Sequence, residues 1–303
     1  MCAFNRSVAK EVDRQLHLKS PMKSKKPKLD EFAMLVGTDD DTIDLGRAAL
    51  AIARVEYPEL AVDAYVGKLD HMAKQIEQRL SPQESLAQAL EILNQYLFVE
   101  LGFEGNLTDY FDPRNSYLNE VLERRLGIPI TLSILYMEIG RRLGLEFQGI
   151  SFPGHFLVKF RVADGDVVLD PFLGGVSLSR NELVSRLADI LPADEDPEAN
   201  LARHLAPASK REILSRMLRN LKGVYLQRED LPRALRTINH ILVLNPDHSE
   251  QIRERAAIYE RLECSQAAAQ DYQRYLELTP NAADAEELRE RVVRLFTARQ
   301  KLH

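Results

Sequence analysis

Two short runs carry residue types from which acyl chemistry is built. "GHF" at 154–156 supplies His155 and "LDP" at 169–171 supplies Asp170, and both follow a long apolar segment that opens with Gly127, Ile128 and Pro129. A His can take a proton from a nucleophile, an Asp can fix the orientation of its ring, and a helix start lowers the pKa of a thiol placed there. The third member is absent. Pro129 has no nucleophilic atom, and its ring suits the first helical turn, where no amide partner is needed. Thr131 and Ser133 bring hydroxyls nearby, but a hydroxyl needs a base aimed at it, and spacing alone places none. Cys2 falls in the N-terminal leader and Cys264 in a turn between helices, so neither is positioned to substitute.

The hairpin that carries the pair is expected to turn at Asp164 and Gly165, since Gly accepts positive φ and Asp tolerates it. That register sets Asp170 opposite Lys159, on the sheet face of His155 but two pairs away. A bulge or strong twist would close the gap. Two readings follow. One is a His155 and Asp170 dyad lining a cleft, for ligand binding or residual acid/base work. The other is a buried hydrogen bond in which the carboxylate accepts from the imidazole and anchors the hairpin.

The elements around the pair follow from periodicity. Residues 129–143 are apolar on nearly every side, which predicts a helix buried all round. Phe156, Val158, Phe160 and Val162 alternate with His155, Leu157, Lys159 and Arg161, which predicts a strand carrying His155, with Val167 to Asp170 returning beside it. Upstream, apolar residues recur at three and four from Asp41 onward, broken by Pro58, giving helix, break, helix. Ser81, Pro82 and Glu84 read as the cap of a further helix. Residues 116–126 read as a short helix exposing Glu120, Glu123, Arg124 and Arg125. Residues 31–190 thus form one helix-rich domain with a small antiparallel sheet, an α+β layout. The acidic "LPADEDPEAN" lies at its end, and residues 191–211 read as a linker.

From 212 to 303 the chain is helical and repeats at a spacing of 34. Tyr225 matches Tyr259, Ala234 matches Ala268, Leu242 matches Leu276 and Pro246 matches Pro280. Small residues at the helix crossing and Pro at the unit end resemble the tetratricopeptide repeat, an all-α array that presents a face to peptides.

Bulk properties exclude several classes. A chain of 303 residues with 45% hydrophobic and 28% charged residues is an ordinary globular protein of about two domains. No apolar run approaches the roughly 18 residues needed to span a bilayer, and the first residues lack the apolar core of a secretory signal, so a cytoplasmic protein without membrane contact is expected. Two cysteines fit a reducing compartment. The net charge of −6 conceals +6 in residues 1–28 and −12 in the remainder. An acidic body repels phosphate backbones, so nucleic acid would be contacted only through "KSPMKSKKPK" in the basic leader 1–30, specifically residues 19–28. There is no phosphate loop, no Gly-x-Gly-x-x-Gly and no His pair at metal-binding spacing, so neither cofactor nor metal is expected.

The order of motifs resembles the transglutaminase-like, papain-related core: Arg141, Arg142, Leu143 and Gly144 at the helix end, then "GHF", then "LDP". In that family Gly-x-Cys heads the helix, and the equivalent place here is Gly127, Ile128, Pro129. "NSYLNEVLERRLGIPITLSILYMEIGRRLGL", "GISFPGHFLVKF" and "LDPFLGG", with repeats behind, resemble more specifically the bacterial SirB-type family, over residues 40–300. That resemblance implies that Pro129 is the family's normal state. The same motifs nominate Asn115, Tyr117, Asn119, Glu120, Arg124 and Thr131 as binding residues beside His155 and Asp170. Asn115 and Asn119 could instead cap the short helix, and Glu120 with Arg124 is a favourable i,i+4 pair on any helix. The function these features imply is a non-catalytic protein-binding adaptor or regulator. The alternatives are a hydrolase or acyl-transfer enzyme using His155 and Asp170 without a cysteine, and nucleic-acid contact through the leader.

Overall fold

The computed structural model describes residues 28–81, 83–162 and 165–300. Residues 1–27, with Cys2 and the basic segment 19–27, and residues 82, 163, 164 and 301–303 lie outside the described residues, so the expected roles of Pro82 as a helix cap and of Asp164 in the hairpin turn fall there. The described residues form two compact units, Lys28–Asn220 and 221–300. None of their helices is long and apolar enough to cross a membrane.

The first unit opens with six helices: α1 (Lys28–Val36), α2 (Leu45–Ala53), α3 (Val62–Glu77), α4 (Leu86–Asn94), α5 (Leu118–Arg124) and α6 (Pro129–Arg142). Small side chains let α2 sink into the core, with Ala48, Ala49, Leu50 and Ala53 fully buried among α3, α5 and α6. The start of α4 differs from the sequence expectation. Its cap is Ser85, whose hydroxyl accepts from the Gln88 amide while the Gln88 side chain accepts from the Ser85 amide. That reciprocal pair satisfies two free amides at once, and Ser81 to Glu84 form a separate turn closed by Glu84 N to Ser81 O at 3.1 Å.

Helix α6 is buried along almost its whole length, as its apolar run requires. Its end explains the Arg-Arg-Leu-Gly motif. Arg142 donates to the buried Glu138 carboxylate at 2.7 Å and to Asp70 at 2.6 Å, and Gly144 takes φ +77° to leave the helix. Gly140 has no side chain because the Phe147 ring lies against it; a Cβ there would meet that ring at 2.2 Å.

A short parallel pair, β1 (Glu104–Gly105) and β2 (Leu126–Gly127), precedes a four-stranded antiparallel meander of β3 (Phe147–Ile150), β4 (Leu157–Val162), β5 (Gly165–Asp170) and β6 (Val176–Leu178). One face of the meander packs on α6 through Tyr136, Phe147 and Phe160. The other face, with Ile150, Leu157, Val168 and Leu178, packs on α7 (Arg180–Ala188) and α8 (Pro197–His204) through Leu183, Leu187 and Leu201. Helix α8 lies within the segment read as a linker, and Ala208 N donates to Gly149 O at 2.8 Å, so residues 191–211 belong to the sheet's packing in this unit. The acidic composition that suggested a connector instead reflects exposed helix and turn positions. Helix α9 (Lys210–Gln227) closes the unit with its residues up to 220.

The second unit holds the rest of α9, then α10 (Leu231–Leu244), α11 (Ser249–Arg261), α12 (Ser265–Leu278) and α13 (Ala285–Gln300). The 34-residue repeat is physical. Ala234 and Ala268 are both fully buried, and Glu229 and Glu263 both adopt left-handed backbone, at φ 55° and 61°. The turns close identically, Asp230 N to Tyr225 O at 2.9 Å and Cys264 N to Tyr259 O at 2.8 Å. Arg255 locks successive repeats together within this unit, clasping Asp271 through Nε and Nη2 at 2.6 and 2.8 Å and donating to Asn239 at 2.9 Å.

Candidate functional site

Strand register decides where the His and the Asp meet. Val162 pairs with Gly165, Lys159 with Val168 and Val158 with Leu169. This register lies two residues from the one expected, because Gly165 is in the strand, paired with Val162. Asp170 therefore extends the pairing to the level of Leu157, not Lys159. His155 sits in the bend just before β4 and is not in the strand itself. The shift halves the gap, the bend at His155 spans the rest, and His155 Nε2 lies 2.9 Å from Asp170 Oδ1. The Phe172 amide also donates to that oxygen, at 3.2 Å.

The face of β5 that carries Asp170 is the face covered by α7. Arg186 on α7 consequently reaches the second carboxylate oxygen, at 3.1 Å. Burial by itself would raise the Asp170 carboxyl; the hydrogen bond and charge of His155, joined by Arg186, outweigh it and hold the group below its usual range. An ionised carboxylate only accepts, so the proton on this bond belongs to His155 Nε2, which leaves Nδ1 as the ring nitrogen that Asp170 does not engage. The arrangement is that of an oriented base. The His155 side chain is 20% exposed, and its ring stands edge-on to Phe172 at 5.8 Å. Phe172 is seated there by Gly105, where a Cβ would meet the ring at 2.4 Å.

At the head of α6 the groups that could attack are occupied. Pro129 is buried at the first helical position. Thr131, fully buried, directs its hydroxyl to Asn115 O at 2.7 Å and Ile128 O at 3.1 Å, while the Ile128 amide donates back to it at 3.1 Å. Ser133 is fully buried with its hydroxyl 3.5 Å from Phe156 O, which places this stretch of α6 against the residue following His155.

The other nominated residues form a second cluster, centred on Asn115 in the short 3-10 turn Pro113–Ser116. Asn115 accepts from Asn106 at 3.0 Å and donates to Asp109 O at 2.7 Å. Arg124 turns to Asp112 at 3.3 Å and to Asn115, away from an i,i+4 pairing with Glu120, because the Asp112 carboxylate is nearly buried beside it. Asp112 is held below its usual range, burial being outweighed by Arg114 and Arg124. Tyr117 is buried edge-on to Tyr57 at 5.7 Å, Asn119 is buried, and Glu120 is half-buried. Asn115 and Thr131 are joined directly, and this cluster holds the loop 106–116 onto the helix head.

Comparison with known proteins places these motifs. Residues 63–219 match the transglutaminase-like superfamily and residues 221–293 match the tetratricopeptide repeat. A UPF0162 protein of Xylella fastidiosa is 40% identical over 269 residues, covering 89% of this chain and 96% of that one. The chain belongs to the UPF0162 family of transglutaminase-like proteins with tetratricopeptide repeats. Similarity extends across it: a Vibrio cholerae UPF0162 protein is 34% identical over 85% of this chain and 94% of its own length, and YchA of Escherichia coli K12 is 27% identical over 79% and 87%. In this core Arg186 joins His155 on the Asp170 carboxylate. Sequence reasoning missed Arg186, Phe172 and Arg216. Arg216 donates to Ser151 Oγ at 2.7 Å, Phe152 O at 3.0 Å and His155 O at 2.8 Å, fixing the bend that carries His155.

Proposed function

We propose that this UPF0162 chain is a non-catalytic, cytoplasmic adaptor or regulator that captures a protein or peptide partner through its repeats. The observation that supports this reading is the head of α6. A base is oriented at His155, yet the nucleophile position is Pro129 and the neighbouring Thr131 hydroxyl is engaged by backbone on both sides. An acyl-enzyme needs a nucleophile within reach of its base, and the triad loses that step when one role is empty. The repeats supply a binding surface without any chemistry.

Exposed positions recur on the first helix of each repeat unit. Gly223 and Gln227 on α9 correspond at 34 residues to Ala257 and Arg261 on α11, and all four are exposed. A side chain at Gly223 would meet nothing within 4 Å. Partner capture from cytosol is expected to fail for a Gly223→Arg, Ala257→Arg double variant of unchanged melting temperature, and to survive Pro129→Ala. Retained capture by the double variant would reject the reading.

A hydrolase or acyl-transfer reading is favoured by one specific feature, the orientation of the His155 ring by Asp170 and Arg186, which leaves Nδ1 unengaged by the carboxylate. It requires turnover of an amide or thioester that His155→Ala abolishes and the double variant leaves intact.

A further inference from the structure

The His155 bend carries a cation whose partners are all neutral. Arg216 donates through Nη1 to Ser151 Oγ and Phe152 O and through Nη2 to His155 O. A guanidinium has five N–H groups, so Nε–H and one Nη2–H have no acceptor among the described residues. No carboxylate forms a salt bridge with it among the described residues; burial lowers its pKa, Arg219 lowers it further, and the Tyr110 hydroxyl opposes them. Arg219, one turn further along α9, is exposed and has no acidic partner among the described residues. Two arginines side by side without a carboxylate partner among the described residues are conspicuous in a sequence that carries −12 outside residues 1–28.

An aromatic surface adjoins them. Tyr110 lies within electrostatic reach of Arg216. Its ring stands 5.4 Å from Phe111 and 6.3 Å from Phe172, which in turn meets His155. Tyr110 is 38% and Phe111 55% exposed. Aromatic rings beside an under-paired arginine are the composition of a recognition patch, since the rings supply apolar area and the planar fork takes a carboxylate.

We propose that Arg216, Arg219, Tyr110, Phe111 and Phe172 form a docking surface for an acidic peptide segment, in which a carboxylate meets the two arginines and a neighbouring aromatic side chain packs on the rings. Charge complementarity selects the anion. The rings select a peptide over a bare inorganic anion, which would leave them uncovered. The surface belongs wholly to the first unit and does not rest on partner capture by the repeats.

The chain contains no tryptophan, so a tryptophan in the probe is the one such fluorophore in the mixture. The test titrates the full-length protein into N-acetyl-Asp-Trp-Asp-amide and, separately, into N-acetyl-Asn-Trp-Asn-amide. The acidic peptide is expected to bind at least about tenfold tighter, as charge-assisted hydrogen bonds warrant. Arg219→Gln should narrow that difference without changing the melting temperature, and Arg216→Gln should abolish it. Because Arg216 also holds the 151–155 bend, the comparison of the two peptides on the unaltered protein decides the matter. Equal affinity for both, or no binding of either at millimolar concentration, would overturn the proposal. Dimerisation that buries this surface and is indifferent to the acidic peptide would assign it to a second copy and overturn it equally.

Discussion

His155 Nε2 and Asp170 Oδ1 are 2.9 Å apart, and the second oxygen of the same carboxylate is held by Arg186 at 3.1 Å. The carboxylate is fully buried between a ring and a guanidinium. That geometry fixes the orientation of the imidazole, and it also ties the bend before β4, the end of β5 and helix α7 into one polar contact.

Removing the carboxylate charge should therefore cost stability in a pH-dependent way. Asp170 has a folded pKa below its unfolded value, so its contribution is fully present above the unfolded pKa and is lost as pH falls through the folded one. Asp170→Asn is expected to destabilise the core by about 1.5–3 kcal/mol at pH 7, the range for hydrogen bonds to charged groups. Urea melts should show the deficit shrinking once the pH drops below the unfolded value of about 4. A deficit that stays constant down to pH 2 would contradict the assignment.

The Thr131 hydroxyl should matter for folding. Thr131→Val keeps the shape but leaves Asn115 O and the Ile128 amide without their partner. A loss of roughly 1–3 kcal/mol is expected for stranding buried groups. Thr131→Ser should recover most of it in the same denaturant titration.

Much of this architecture is legible in the sequence, for reasons that particular residues make clear. The buried helix over 129–143 announces itself because no polar face interrupts it, and the repeats do so because Tyr225, Ala234, Leu242 and Pro246 recur after 34 residues as Tyr259, Ala268, Leu276 and Pro280. The meeting of His155 and Asp170 was legible as a pair but not as a distance. The register turns on whether Gly165 belongs to the turn or to the strand, and a two-residue slip preserves the alternation of faces. Arg186 and Arg216 were not legible at all. Each reaches its target from a separate helix, and a long flexible side chain leaves no periodic mark of where its end lies. Asn115 and Thr131 read as site residues because the motifs of the family resemblance include them, whereas their contacts tie them to Asn106, Asp109 and the head of α6.

Phe172 should report on the His155 ring. Gly105→Ala would place a methyl where the Phe172 edge lies, so the ring must move. The His155 Cε1 proton resonance is expected to shift as the edge contact is lost. An unchanged resonance would show that Phe172 adapts without disturbing the ring.

The repeat unit should depend on Arg255. It is mostly buried and clasps Asp271 with two hydrogen bonds, and Arg255→Ala leaves that carboxylate uncompensated. A cost of roughly 3 kcal/mol is expected, the lower end for breaking a buried pair. Circular dichroism melts of the variant should fall accordingly, with the first unit's tyrosine signals unaffected.

The central claim is that the core holds an oriented base without a nucleophile for it to serve. Mass mapping of the full-length protein after incubation with an acyl thioester measures this directly. Thr131, Ser133 and His155 are expected to remain unmodified, with no adduct in the core that depends on His155. A stoichiometric acyl adduct on any of these residues that disappears in His155→Ala would contradict the account.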